Sequence, residues 1–262
     1  MKLGYSTIFW REPDLERCLA ELAEAGWEGW ECRLPLDWLG PPGRVRRICA
    51  DAGIPLAVLT ASGVPEDRSF RNRELNRRRI EFAAEVEADC FMFMTGGKPS
   101  GRAVTAADLQ AAAEAADEWA EYGEACGVEL SYHIHTNTLV DSAADWRRYM
   151  SLLQRARLCI DVSHAQLWGV DPAAAIREFA PRLNYVHLQD YSASSRDADG
   201  TYQPVWCDVG ETAAVDFPAV LAALAELGYR RWVTACPRRG DDPLTEARRS
   251  RKTRDYLRRL GY

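Results

Sequence analysis

Long hydrophobic runs, paired cysteine motifs and an excess of basic charge are all missing from this chain. No stretch of about 18 apolar residues occurs, so the sequence predicts no membrane-spanning helix. The first segment, MKLGYSTIFW, lacks the apolar stretch that a signal peptide carries, and a cytoplasmic location is expected. The chain has eight cysteines but no Cys-x-x-Cys pair, and a reducing compartment would keep them as free thiols.

The overall charge is mildly acidic. Thirty-nine Asp and Glu residues outnumber 33 Lys and Arg residues, which gives a formal net charge of −6. Proteins that bind the phosphate backbone of nucleic acids usually present a basic face. We therefore expect neither a nucleic acid nor a membrane as a partner, and a small molecule is the more natural ligand.

Short apolar runs alternate with longer amphipathic segments along the whole chain. Eight strands are predicted, namely Lys2–Ser6, Trp27–Cys32, the AGIPLAVLT segment, Cys90–Thr95, Val128–Ile134, Leu158–Val162, Leu183–Leu188 and Arg231–Ala235. Several of the intervening helices end in a glycine before the next strand, as in AEAGW and ADAGI. A doubly wound open sheet would favour a glycine-rich phosphate turn after its first strand, where this chain has Ser-Thr-Ile-Phe-Trp.

These features predict an α/β fold, a single (β/α)₈ TIM barrel. About 250 residues suffice for such a barrel, and no linker or shift in composition marks a second domain within residues 1–262. One long connection, Tyr191 to about Val215, follows the seventh strand and is rich in Ser, Asp and Gly. In a barrel this connection lies on the catalytic face, and we expect it to be a loop that acts as a lid.

All four histidines fall at or just beyond the end of a predicted strand. His133 and His135 end the fifth strand, His164 follows the sixth, and His187 ends the seventh. Active sites of such barrels form at the carboxyl ends of the strands. His133 and His135 lie two residues apart on one strand and point to the same side, so with Asp161 at the end of the sixth strand they form a credible site for a divalent metal ion. The alternative is that each histidine is a hydrogen-bonded structural residue.

At this point the sequence resembles the xylose isomerase-like barrels, which include sugar isomerases, ketose epimerases and inosose dehydratase. The resemblance covers nearly the whole chain. It is carried by the segments GWEGWECR, YHIHTNT, CIDVSHAQLWGVDP, LNYVHLQDY and DVGETAAVDFPAVLAALAELGYRRWVTA. The YHIHTNT segment is most similar to the inosose dehydratase branch of the family.

The resemblance implies a metal site built from the ends of strands five to eight. Asp161 and His187 match the family's ligands directly. His133 and Cys236 stand where the family usually has glutamates, which weakens an epimerase mechanism with two glutamate bases. As a thiolate, Cys236 would favour a softer ion such as Zn²⁺ over Mg²⁺, whereas as a mere small residue it would mark a weakened or lost site. The identity of the ion, Mn²⁺, Zn²⁺ or Co²⁺, stays open.

Further polar and aromatic residues are candidates for catalysis and for substrate binding. His135 and Glu31 are the candidate general acid or base. Residues predicted to orient ligands or to contact the substrate share positions near the strand ends, and they are His164, Glu211, Lys98, Trp10, Trp168 and Asp190. Phe9 and Trp206 are further candidates for the apolar walls of the site, although core packing explains aromatic residues equally well.

The functional hypothesis is a metal-dependent enzyme that acts on a keto-sugar, an inosose or a similar polyhydroxylated carbonyl compound. A base would remove the α-proton to give an enediolate, which is then reprotonated (isomerase or epimerase) or expels a β-hydroxyl (dehydratase). One alternative is a non-catalytic or partner-subunit barrel with a degenerate metal site. A DNA repair enzyme similar to endonuclease IV would need more metal ligands and a basic groove. Barrels of this size often dimerise through mouth loops, so a homodimer is compatible with the sequence.

Overall fold

Eight parallel strands close on themselves into a barrel. The computed structural model describes residues 1–11 and 13–262. Its ten strands are β1 Lys2–Ser6, β2 Gly29–Cys32, β3 Leu56–Thr60, β4 Cys90–Phe93, β5 Glu129–His133, β6 Arg157–Asp161, β7 Leu183–Leu188, β8 Asp190–Arg196, β9 Tyr202–Cys207 and β10 Trp232–Ala235. The order around the barrel is β1-β10-β7-β6-β5-β4-β3-β2, which confirms the predicted TIM barrel.

Helices surround the strands and return the chain from one strand end to the next strand start. The described residues form α1 Leu15–Ala25, α2 Leu36–Leu39, α3 Pro42–Ala52, α4 Phe70–Glu85, α5 Ala106–Cys126, α6 Ala143–Leu152, α7 Val162–Leu167, α8 Pro172–Glu178, α9 Phe217–Glu226 and α10 Pro243–Arg259. Thr105 starts α5 through a reciprocal capping box with Asp108. None of the described helices is long and apolar enough to cross a membrane.

The barrel interior is packed with side chains rather than hollow. Below the strand ends, a small cluster fills the lumen, and its members are Ala57, Val58, Cys90, Met92, Cys159, Tyr185 and Trp232. A much larger apolar cluster lies between the strands and the helices. We call the carboxyl ends of the barrel strands the mouth; the packed lumen leaves this face as the place where polar side chains converge.

The connection predicted as a loop after the seventh strand is instead a β-hairpin, so this prediction was wrong in its secondary structure. Strands β8 and β9 pair antiparallel, outside the barrel. The carboxylate of Asp190 anchors the base of the hairpin by accepting from the backbone N–H groups of Gly210 and Thr212 and from the Thr212 hydroxyl. Asn137, in the loop after β5, bonds both the N–H and the carbonyl of Tyr202. These hydrogen bonds hold the hairpin against the loop that follows β5.

Candidate active site

Five buried side chains meet at the mouth, and we call them the mouth cluster: Glu31, His133, Asp161, His187 and Cys236. Each comes from the end of a strand or from the residue just beyond it. The parallel register places Asp161 beside His187 and Ser6 beside Glu31. Because parallel strands end at the same edge, residues far apart in the sequence become neighbours here.

Glu31 is the most completely bonded member of the mouth cluster. Its Oε1 accepts from the Ser6 hydroxyl at 2.6 Å, and its Oε2 accepts from the Tyr185 hydroxyl at 2.5 Å. The same Oε2 lies 2.6 Å from His187 Nε2. Burial alone would raise the pKa of Glu31, but the charge of His187 and these hydrogen bonds outweigh it and lower that pKa to about 2.

His187 is held by Glu31 on one side and turns its other nitrogen toward the cluster. Its Nδ1 lies 3.7 Å from Asp161 Oδ2. Burial disfavours the charged imidazole, and burial raises the pKa of the neighbouring Cys236 thiol to about 11, so that thiol is uncharged at neutral pH. The Glu31 carboxylate is therefore the group that outweighs burial and raises the pKa of His187.

Asp161 presents one oxygen to the protein backbone and the other to the histidines. Its Oδ1 accepts from the N–H groups of Ser163 at 2.9 Å and His164 at 3.3 Å, at the start of α7. Its Oδ2 lies 3.5 Å from His133 Nε2, too far for a normal hydrogen bond. Both ring nitrogens of His133 are buried without a partner in the described residues. Burial, assisted by the charge of His187, lowers the pKa of His133 to about 4.

These residues fit a divalent metal ion. Two groups offer ligand atoms that all lie within 4.8 Å of one another, Asp161 with His187 and Cys236, and His133 with Cys159 and His187. Ligand atoms about 2.1 Å from a tetrahedral ion are about 3.4 Å apart, close to the spacings at Asp161 Oδ2. A neutral buried imidazole with two unpartnered nitrogens is otherwise unfavourable, and a metal ion would satisfy one of them.

His135 and His164 form a second pair beside the mouth cluster, with ring centroids 3.9 Å apart. His135 Nδ1 lies 2.6 Å from the Thr136 carbonyl oxygen, so this nitrogen carries the proton and Nε2 has the lone pair. The Thr136 N–H donates to His164 Nδ1 at 3.2 Å, which leaves the His164 proton on Nε2. The backbone of Thr136 thus sets opposite tautomers in the two rings, with the proton on Nδ1 of His135 and on Nε2 of His164. The rings of Trp206, on β9, and His164 pack in a T-shaped arrangement, with their centroids 5.2 Å apart.

The structure gives other partners to several residues predicted to contact the substrate. Lys98 Nζ pairs with Asp141 Oδ2 at 2.5 Å, and Trp168 Nε1 donates to Asp141 Oδ1 at 3.2 Å. Both side chains therefore support the loop after β5. Trp10 is buried and its Nε1 donates to Glu246 Oε1 at 2.7 Å, so it packs under the mouth rather than lining it.

Glu211 and Asp190 lie at the base of the hairpin rather than in the mouth cluster. Glu211 is exposed, and its Oε2 accepts from the Asp208 N–H at 3.0 Å. Asp190 is fully buried, and both of its carboxylate oxygens accept the hairpin hydrogen bonds described above. Of the residues proposed for substrate contact, His164 is the one that belongs to the second histidine pair.

Sequence reasoning missed four residues that organise the site. Tyr185 lies two residues before His187, so alternation along β7 could have indicated that both face the lumen. Thr136 lies inside the YHIHTNT segment, and Ser6 ends β1. Cys159 likewise precedes Asp161 by two residues, yet no local signal separates it from an ordinary core cysteine.

A family model described as a xylose isomerase-like TIM barrel matches residues 19–260 of this chain. The chain belongs to the xylose isomerase-like TIM barrel family. The rhizopine catabolism protein MocC of Rhizobium meliloti is 26% identical to this chain, with 89% of this chain and 80% of that protein aligned. An inosose dehydratase of Geobacillus kaustophilus is 24% identical, covering 88% of this chain and 85% of that enzyme.

Solved structures of other proteins share this fold at low sequence identity. A D-psicose 3-epimerase from Clostridium cellulolyticum H10 superposes with a TM-score of 0.76 at 15% identity, and 99% of each chain is covered. At this identity the likeness establishes the barrel and its mouth, and the chemistry has to be argued from the side chains.

Proposed function

We propose that this protein is a divalent-metal-dependent isomerase, epimerase or dehydratase acting on a keto-sugar, an inosose or a similar polyhydroxylated carbonyl compound. The sequence relatives named as an inosose dehydratase and as an L-ribulose 3-epimerase support this substrate class. The observation that carries the proposal is the mouth cluster, in which both ring nitrogens of buried His133 lack a partner among the described residues and Nε2 faces a carboxylate oxygen of Asp161.

The metal would be held by His133, Asp161, His187 and Cys236. Bound there, it would supply Lewis acidity to a carbonyl and an adjacent hydroxyl, which makes the α-proton easier to remove. Imidazole and thiolate donors replace the family's two glutamates, so the site favours Zn²⁺, Co²⁺ or Mn²⁺ over Mg²⁺. Because burial raises the pKa of the Cys236 thiol to about 11, that ligand would have to lose a proton on binding.

We assign the proton transfers to the second histidine pair. His135 has its lone pair on Nε2 because Nδ1 donates to the Thr136 carbonyl, which suits it to act as the base. His164 carries its proton on Nε2 because Nδ1 accepts from the Thr136 N–H, which suits it to donate to a substrate oxygen. Burial lowers the pKa of both rings, so both are neutral at physiological pH.

Glu31 has a different role in this proposal from the base predicted from the sequence. Its oxygens are already engaged by Ser6, Tyr185 and His187, and a pKa of about 2 makes it a weak proton acceptor. A carboxylate that holds the remote nitrogen of a metal-binding histidine fixes the tautomer and the orientation of the ring. We therefore assign Glu31 as a positioning residue for His187.

Exchange of the substrate α-proton with solvent tests the proposal whichever product is formed. The protein, loaded with Zn²⁺, Co²⁺ or Mn²⁺, would be incubated in D₂O with a panel of inososes and ketoses and followed by proton NMR. Metal-dependent loss of an α-proton signal in at least one compound is expected, and His135→Gln should abolish it. An isomerised product or an unsaturated ketone would then separate reprotonation from dehydration.

A non-catalytic barrel is the second candidate, and Cys236 in place of a family glutamate is the observation that favours it. Such a protein would show no exchange with any member of the panel and would purify without stoichiometric metal. The buried ring nitrogens of His133, which have no partner among the described residues, speak against this alternative, because unpartnered buried polar groups destabilise a fold.

A further inference from the structure

The turn that follows β5 contains an uncommon backbone conformation. Thr136 and Asn137 are the two central residues of this turn. Among the described residues, Glu87 and Asn137 are the non-glycine residues with a positive φ. Glu87 lies just beyond the end of α4, where a left-handed residue commonly ends a helix. Asn137, with a φ of 64°, follows a strand instead, so its conformation has to be stabilised by contacts in the mouth.

The peptide group between Thr136 and Asn137 has both of its polar atoms engaged. Its carbonyl oxygen accepts from His135 Nδ1 at 2.6 Å. Its N–H, which belongs to Asn137, donates to Asp141 Oδ1 at 2.8 Å. Asp141 is itself held in place, because its other carboxylate oxygen pairs with Lys98. The plane of this peptide is therefore fixed on both edges, with the carbonyl turned toward the His135 ring.

The side chain of Asn137 connects this peptide to the hairpin. Its Oδ1 accepts from the Tyr202 N–H at 2.8 Å, and its Nδ2 donates to the Tyr202 carbonyl at 2.9 Å. The two bonds imitate the pairing of strand residues, with Tyr202 as the first residue of β9. Asn137 is exposed, so these hydrogen bonds rather than packing hold its side chain. The hairpin thus contacts His164 directly through Trp206 and reaches His135 through Asn137.

The opposite orientation of the same peptide would reverse its effect on His135. Rotation of the central peptide by about half a turn converts a turn with positive φ at its third residue into one with negative φ, as between type II and type I turns. The N–H of Asn137 would then replace the Thr136 carbonyl beside His135 Nδ1. That nitrogen would have to accept, so the proton of the neutral ring would move to Nε2. His135 would lose the lone pair that suits it to act as the base.

We propose that Asn137 is a positioning residue for His135, which uses the docked hairpin to keep the Thr136 carbonyl turned toward the ring. Asparagine suits this position because it adopts the left-handed conformation more readily than most non-glycine residues, and its amide can both donate and accept. Release of the hairpin frees the peptide to rotate, so the hairpin controls whether Nε2 of His135 can take a proton. The inference rests on the proposed function for the role of His135 as the base, whereas the tautomer of the ring is independent of any reaction.

Long-range proton–nitrogen NMR of the ¹⁵N-labelled full-length protein, at neutral pH with one equivalent of Zn²⁺, measures the tautomer directly. The wild type is expected to carry the His135 proton on Nδ1, and His135→Gln assigns this signal among the four histidines. Asn137→Gly removes the bonds to Tyr202 and permits either sign of φ, so the His135 signal should shift toward the Nε2–H form. Gln203→Ala, which removes an exposed hydrogen bond to Asp197 within the hairpin, is the matched control and should cause no shift.

A His135 signal in Asn137→Gly identical to that of the wild type would overturn the inference, because the peptide would then keep its orientation without the bonds to the hairpin. An equal shift in Gln203→Ala would also overturn it, because the effect would not be specific to Asn137. The shift should be accompanied by a lower rate of α-proton exchange at saturating substrate, whereas a residue that only shapes the mouth would raise KM and leave the signal unchanged. The proposed function fails by a different result, the absence of metal-dependent exchange in the wild type, so the two failures are distinguishable.

Discussion

Replacing Glu31 with glutamine separates a positioning role from a catalytic one. Glutamine keeps the shape of the side chain, and its oxygen can still accept from Tyr185 and His187 while its amide donates to the Ser6 hydroxyl. What it removes is the negative charge next to His187. The substitution therefore weakens the hold on the imidazole without opening a cavity.

The size of the effect follows from the bond that loses its charge. A hydrogen bond to a charged group contributes about 1.5–3 kcal/mol, whereas a neutral one contributes about 0.5–1.5 kcal/mol. The difference of about 1–1.5 kcal/mol corresponds to roughly a tenfold loss of metal affinity. Substitutions of residues that orient metal-binding histidines have effects of about 10–100-fold, which agrees with this value.

The assay is competition for Zn²⁺ against a chromophoric chelator, combined with turnover at saturating metal. The positioning role predicts a dissociation constant raised about tenfold, with turnover at saturating metal within a few-fold of wild type. Glu129→Gln, at the opposite end of the barrel where Glu129 pairs with Arg231, is the control and should change neither quantity. Unchanged metal affinity together with turnover reduced about 10²–10⁴-fold would refute the reasoning and make Glu31 the base.

Three further predictions concern Glu246 and the hairpin. Burial raises the pKa of Glu246 from 4.5 to about 7, so the stabilisation from its protonated form is present below pH 4.5 and is lost as pH rises through 7. Chemical denaturation should therefore show wild type losing about 3 kcal/mol more than Glu246→Gln between pH 4.5 and 8, with Glu114→Gln behaving as wild type. Asp190→Ala should destabilise the protein by about 2–3 kcal/mol and speed proteolysis within the hairpin, because the four hydrogen bonds that its carboxylate accepts are lost. Trp206→Ala should raise the KM of the substrate while metal content stays unchanged, since its ring packs against His164.

The barrel could be predicted from the sequence because each strand carries its own local signal. The predicted bounds of Lys2–Ser6 and Leu183–Leu188 coincide with β1 and β7, where apolar runs begin and end sharply. The second strand was predicted to begin at Trp27, but β2 begins at Gly29 because Trp27 packs outward and donates to Ser250 on α10. That contact depends on where α10 packs, which no sequence pattern near Trp27 predicts.

The hairpin and the hydrogen bonds of Glu31 could not be predicted from local sequence patterns. Strands β8 and β9 contain serine, aspartate and proline, residues with low strand propensity, and they pair with each other rather than with the barrel. Glu31 meets Tyr185 and His187 through a separation of more than 150 residues, set by the closure of the barrel. Alternation along a strand can indicate which side chains face the lumen, as for Tyr185 and His187, but their partners there are set by the three-dimensional register.

Metal content by elemental analysis tests the central claim most directly. The protein would be purified without a histidine tag, as wild type, Asp161→Ala and Cys236→Ser, and each would be incubated with Mn²⁺, Zn²⁺ or Co²⁺ before desalting. The account predicts about one ion per wild-type chain, lost in Asp161→Ala and weakened in Cys236→Ser. A wild-type protein that retains none of these ions would contradict the account.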